Sequence, residues 1–125
     1  MMKIITWNIR GLNGISKQRI LRDYIKVENP DVLLLKETKC AGLEAKTIFR
    51  RSWRCCDLYH QDSMGASGGL DILWNPHTVM LNKLFSMTGT LATYFTVTGS
   101  TKEGAITNVY GPQSAQDKES FIQKL

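Results

Sequence analysis

The chain has 125 residues, 42% of them hydrophobic and 22% charged, which suits one domain or most of one and excludes disorder throughout. Its net charge of +5 lies wholly in the first half: residues 1–62 hold twelve Lys/Arg against seven Asp/Glu, and residues 63–125 hold four against four. No apolar stretch reaches membrane-spanning length, no signal-peptide pattern opens the chain, and an odd cysteine count with an adjacent pair argues against a secreted disulfide framework, so the expected setting is intracellular.

Lys3 to Trp7 is short, apolar and β-rich, and the Asn/Gly-rich stretch from Asn8 to Gly14 breaks it into a loop. Ser16 reads as a helix N-cap, with Ile15 and Ile20 in a staple arrangement around it. Ile20, Leu21, Tyr24 and Ile25 then repeat at helical spacing until Asn29-Pro30 stops the helix. Val32 to Leu35 is a continuous apolar run, the pattern of a strand covered on both faces. Strand, helix and strand in this order predict a β-α-β unit with the two strands parallel.

Residues 41–51 form a second, weaker helical segment, and Trp53 to Tyr59 is compatible with a strand. Ser63 to Gly69 is a glycine-containing connection. Leu70 to Trp74 reads as a strand, stopped by Asn75-Pro76. Thr78–Phe85, Leu91–Thr98 and Ala105–Tyr110 are further β segments separated by glycine turns. Ser114 caps a last helix whose apolar side is Phe121, Ile122 and Leu125. The pattern is a mixed α/β unit with one parallel crossover followed by an antiparallel meander. The glycine segments match neither the P-loop nor the dinucleotide-binding pattern.

Two polar residues stand where chemistry is often placed, each directly after a strand. Glu37 can bind Mg²⁺ from the mouth of a sheet, or simply end the strand in solvent. Asn8 can orient a phosphate oxygen, a water or the carboxylate through its amide, or serve as a turn former. Tyr110 closes a third β segment, and its hydroxyl can contact a phosphate or sit at the core rim. The densest basic patch, Arg50, Arg51 and Arg54, suits a phosphate-rich partner or a solvated helix end. His60 and His77 have no acidic companion at suggestive spacing and read as surface or rim residues. Trp7, Trp53 and Trp74 supply core area, and no cysteine lies at metal-ligand spacing.

Four segments in order, Trp7-Asn8-Ile9-Arg10-Gly11-Leu12, Lys36-Glu37-Thr38-Lys39, Ser67-Gly68-Gly69-Leu70 with Ile72-Leu73-Trp74, and Asn108-Val109-Tyr110-Gly111-Pro112, resemble successive motifs of the endonuclease/exonuclease/phosphatase superfamily. The nearest likeness is to the endonuclease domain of plant LINE-type (non-LTR) retrotransposons. The resemblance implies a four-layer α-β-β-α sandwich, here partial: residues 1–125 would be a C-terminally truncated domain, mainly the first sheet and its helices. It also implies Mg²⁺- or Mn²⁺-dependent phosphodiester hydrolysis, with Asn8 in the active site, Glu37 as metal ligand and Tyr110 positioning the scissile phosphate. DNA is the implied substrate, with Arg10 joining Arg50, Arg51 and Arg54 as nucleic-acid contacts, and the nucleus is the implied place.

Three departures matter. Lys36 replaces the usual Gln, Arg10 stands where abasic-site nucleases carry Asp, and Gln113 stands where many of them carry Asn. The family's later Gly-Asp-Phe-Asn-like and Ser-Asp-His-like segments do not occur in these residues. The expectation is therefore a chain without efficient nuclease activity by itself, with a sheet face left for a partner and a poorly cooperative melt. The alternatives are a non-catalytic nucleic-acid or protein interaction module and a phosphomonoester or phosphoinositide phosphatase.

Overall fold

A computed structural model describes residues 2–62 and 68–110 of the chain. Ser67, Gly111, Pro112, Gln113 and the helix expected after Ser114 lie outside the described residues. Nine elements follow in order: β1 (Ile4–Asn8), α1 (Ile15–Glu28), β2 (Val32–Lys36), α2 (Gly42–Ser52), β3 (Asp57–Gln61), β4 (Leu70–Trp74), β5 (Val79–Met87), β6 (Thr90–Val97) and β7 (Glu103–Val109). The first four strands make one sheet in the order β1-β2-β4-β3, and the last three make a second, β5-β6-β7.

The expected parallel pair is present, Ile4 to Asn8 lying beside Val32 to Lys36 in register. β4 then inserts antiparallel between β2 and β3. Because β2 and β4 are central, both of their faces are covered, which explains the unbroken apolar run Val32–Leu35 of β2 and leaves Asp71 as a buried polar residue within β4. On one face Leu33, Leu35 and Leu73 pack with Leu21 and Ile25 of α1 and with Ala45, Ile48 and Phe49 of α2. On the other, Val32, Leu34, Leu70, Ile72 and Trp74 meet Val79, Leu81, Leu91 and Ile106 of the second sheet. The described residues thus form three layers, helices on the first sheet and the first sheet on the second. The three strands of the antiparallel meander cover the inner face of the first sheet, so that face, contrary to expectation, is not left open for a partner.

Local differences have local causes. Helix α1 is capped at Gly14 without a side-chain bond, so Ser16 lies inside the first turn, and Ile15 and Ile20 are both exposed rather than stapled. The strand expected from Trp53 begins only at Asp57, because α2 runs on to Ser52 and Trp53 N–H still closes its last turn on Phe49 O. β5 and β6 are joined by Thr88-Gly89, with Gly89 at φ 77°, a backbone conformation that glycine adopts without steric cost.

Candidate functional site

The parallel pair brings Asn8 and Lys36 side by side at the C-terminal ends of β1 and β2. Asn8 shares a strand face with Ile4 and Thr6, all three exposed. Lys36 shares its face with the inter-sheet residues Val32 and Leu34. Glu37 follows in a left-handed turn at φ 56°, so its side chain leaves the strand alternation. The Tyr110 hydroxyl, arriving from the end of β7, donates to Glu37 Oε1 at 2.8 Å across 73 residues of sequence. The loop after β1 closes the same rim. Arg10, exposed at φ 56°, precedes Gly11, whose N–H donates to Glu37 O at 2.7 Å.

Asn8, Arg10, Glu37 and Tyr110 therefore gather at one end of the sandwich. Arg50, Arg51 and Arg54 do not join them. They are exposed at the C-terminal end of α2, where Arg50 pairs loosely with Asp57 at 3.7 Å. Asp57 stands level with Trp74 and Val32, whereas Lys36 stands level with Leu70 and Gln61. The two groups are thus at opposite ends of the sheet, four strand residues or roughly 13 Å apart along it.

Lys36 is drawn into the rim rather than left in water. Its Nζ donates to Thr6 Oγ1 at 3.0 Å and to Asn108 Oδ1 at 2.8 Å, and burial lowers its pKa from the ordinary lysine value. Asn108, fully buried, donates its two amide hydrogens to Leu35 O at 3.1 Å and Asp71 O at 3.0 Å. One side chain of the second sheet is thereby tied to both central strands of the first. In the sequence Asn108 stands out only as the first residue of the Asn108-Val109-Tyr110-Gly111-Pro112 motif. The signal available was a lone amide on the inward-facing set that includes Ile106.

A second polar group lies behind the rim, on the helix-covered face. Asp71, fully buried, accepts from Thr38 Oγ1 at 3.0 Å, and His60 Nδ1 stands 2.7 Å from its other oxygen. His60 Nε2 stands 2.6 Å from Asp62 Oδ1. The expectation that His60 lacks an acidic companion is overturned: β3 and β4 pair so that His60 faces Asp71 directly, and its side chain is only 12% exposed. Burial opposes the charged imidazole, but hydrogen bonds and charge from Asp71 and Asp62 raise its pKa above the ordinary value. Burial likewise pushes Asp71 up to about 6, against the bonds from His60 and Thr38. His77 is exposed, as expected.

Among the described residues no three His, Cys, Asp or Glu side chains converge to hold a metal. Glu37 offers a carboxylate with one oxygen bonded to Tyr110, and Asn8 offers an amide oxygen beside it. Hard oxygen donors with a single carboxylate fit Mg²⁺, which keeps several waters and takes further oxygens from substrate. No helix among the described residues is long and apolar enough to cross a membrane.

No family model matches the chain. Over 40 residues, 32% of this chain and 13% of the relative, it is 50% identical to the DNA repair nuclease APEX1 of Danio rerio. In fold it is similar to an AP endonuclease from Archaeoglobus fulgidus, with TM-score 0.74 and 20% identity over 99% of this chain and 49% of that one. It is also similar to an endonuclease/exonuclease/phosphatase family protein from Bacteroides thetaiotaomicron, with TM-score 0.72 and 9% identity over 98% of this chain and 56% of that one. The chain spans about half the length of these solved structures, and its sequence match covers far less of the curated relative.

Proposed function

We propose that this chain, which has the fold of the endonuclease/exonuclease/phosphatase superfamily and sequence similarity to its DNA repair nucleases, carries one half of a metal-dependent DNA phosphodiester hydrolase site. The observation that carries this reading is the Tyr110–Glu37 hydrogen bond, 2.8 Å across the sandwich, made beside Asn8. Two side chains 73 residues apart converge on a rim that Asn8, Lys36 and the Arg10 loop complete.

Each group has a physical task there. Glu37 would hold Mg²⁺ or Mn²⁺, which in such sites polarises the phosphoryl oxygens and stabilises their developing charge. Tyr110 orients the carboxylate and presents an aromatic hydroxyl to the phosphate. Asn8 offers an amide donor, and Lys36 adds a positive charge at the same rim. Arg10, at the exposed edge of the loop, reaches the nucleic-acid backbone. The residues that serve the attacking water in the family belong to the Gly-Asp-Phe-Asn-like and Ser-Asp-His-like segments, which these 125 residues lack. Such constellations act cooperatively, so these residues alone do not support efficient turnover.

Arg10 in place of the abasic-site Asp supports a DNA-nicking activity of the retroelement type over abasic-site repair. A second reading, a DNA-binding module without catalysis, is favoured by the exposed Arg50, Arg51 and Arg54 at the far end of the sheet. The outer face of the second sheet exposes Met80, Phe85, Met87 and Tyr94, which supports a protein partner there.

The test incubates the chain with supercoiled, nicked and abasic DNA in Mg²⁺ and in Mn²⁺. Background-level cleavage with binding that weakens steeply in salt is the expected result. Robust turnover abolished by Glu37→Gln would overturn the claim that this half-site is inefficient alone.

A further inference from the structure

We propose that Asp71 and His60 are positioning residues for Glu37: from the helix-covered face of the first sheet they grip Thr38, and so hold the turn that presents the Glu37 carboxylate to Tyr110. The inference rests on the reading of Glu37 as the acid of the site.

The turn needs holding. Glu37 and Lys39 are non-glycine residues at φ 56° and 54°, a strained conformation that persists only where surroundings enforce it. Backbone bonds secure its edges, Gly11 N–H to Glu37 O, Leu12 N–H to Thr38 O and Lys39 N–H to Gly68 O. Between the two strained residues sits Thr38, fully buried. Its hydroxyl is confined on one side by Gly69, where an added Cβ would stand 2.6 Å from Thr38 Oγ1. On the other side it donates to Asp71. Glu37 therefore reaches toward the inter-sheet rim, while its neighbour is anchored on the opposite face.

The anchor is an unusual choice for its place. Leu70 and Ile72 flank Asp71 in a wholly buried strand, where an apolar residue would be the cheaper occupant. A buried carboxylate is tolerable only when its oxygens are partnered, and here both are, one by Thr38 and one by His60. His60 in turn lies between Asp71 and Asp62, so an imidazole protonated on both nitrogens satisfies both carboxylates. Nothing in sheet packing requires this chain of four groups. Its far end is the turn that carries Glu37.

The experiment follows the Tyr110 ring by NMR in the full chain labelled at tyrosine Cζ, with Tyr110→Phe assigning the resonance. Glu37→Gln should displace that resonance by removing the charged acceptor. Asp71→Ala and Thr38→Ala should each reproduce at least half that displacement, and Asp71→Asn, which keeps polar partners for Thr38 and His60, should restore the wild-type position. Should Asp71→Ala fail to fold, Thr38→Ala carries the test, since it removes only the hydroxyl and one methyl. A lowered melting temperature with the Tyr110 resonance unmoved in Thr38→Ala would overturn the inference, leaving Asp71 and His60 a purely structural pair. Failure of Mn²⁺ to broaden the Tyr110 signal would instead contradict the metal reading of Glu37, and leaves the positioning result intact.

Discussion

Asn108 gives the account its sharpest energetic test. It is fully buried and makes three hydrogen bonds, donating to Leu35 O and Asp71 O and accepting from Lys36 Nζ. Each neutral bond contributes about 1 kcal/mol net and the charge-assisted one about 1.5–3, so Asn108→Ala should cost about 3.5–5 kcal/mol. Lys36 keeps Thr6 as a partner and some access to water, which holds the loss near the lower figure. Asn108→Asp separates geometry from charge. It preserves size and could pair with Lys36, but a carboxylate donates nothing and would face two backbone carbonyls. At pH 7 it should be no more stable than the alanine variant, and it should recover as pH falls and the carboxyl regains a hydrogen. Urea unfolding followed by far-UV circular dichroism and tryptophan fluorescence measures both. A cost below about 1 kcal/mol for Asn108→Ala, or an aspartate variant as stable as the parent at pH 7, would refute the role of this amide as the tie between the sheets.

Three further outcomes follow from named side chains. Asp71 holds its proton up to about 6 in the folded chain against an ordinary 3.8, so its contribution to stability falls as pH rises between those values, by on the order of 3 kcal/mol. His60, also raised, adds stability that is complete below about 6.5 and is lost as pH climbs through its folded value. The stability difference between parent and Asp71→Asn, measured in urea from pH 4 to 8, should therefore shrink with rising pH; a flat difference contradicts the pair. Gly69→Ala places a side chain at φ 94° and against Thr38 Oγ1, and should lower stability by on the order of 2–4 kcal/mol in the same assay. Of the three thiols only Cys55 is exposed, while burial pushes Cys56 up to about 11 and also raises Cys40. Under native conditions Ellman's reagent should label one thiol quickly, and Cys55→Ser should abolish that fast phase.

Much of this architecture is legible in the residues, because burial on two faces leaves a plain mark. Val32–Leu35 reads as a strand covered on both faces for the reason it turns out central, Leu70–Trp74 reads as a strand, and the Ile20-to-Ile25 repeat finds the core side of α1 through Leu21 and Ile25. Glu37, Asn8 and Tyr110 could be singled out because each stands at or just past the end of a β segment. What stays hidden depends on strand register. The Asp71–His60 pair exists only because β4 inserts between β2 and β3 and sets residue 71 opposite residue 60. A strand expected over 53–59 stops one residue short of that histidine. The separation of the arginine patch from the Glu37 rim is hidden for a related reason. Arg50 is close to Glu37 in sequence, but α2 carries it back along the sheet to the opposite end.

If Glu37 is the metal-holding acid of a half-built phosphodiesterase rim, Mn²⁺ binding depends on its carboxylate. A Mn²⁺ titration of the parent chain and of Glu37→Gln, read by the loss of the free-ion electron paramagnetic resonance signal, tests it most directly. One weak site is expected in the parent chain, and its loss in the variant. Equal Mn²⁺ binding by the two would contradict it.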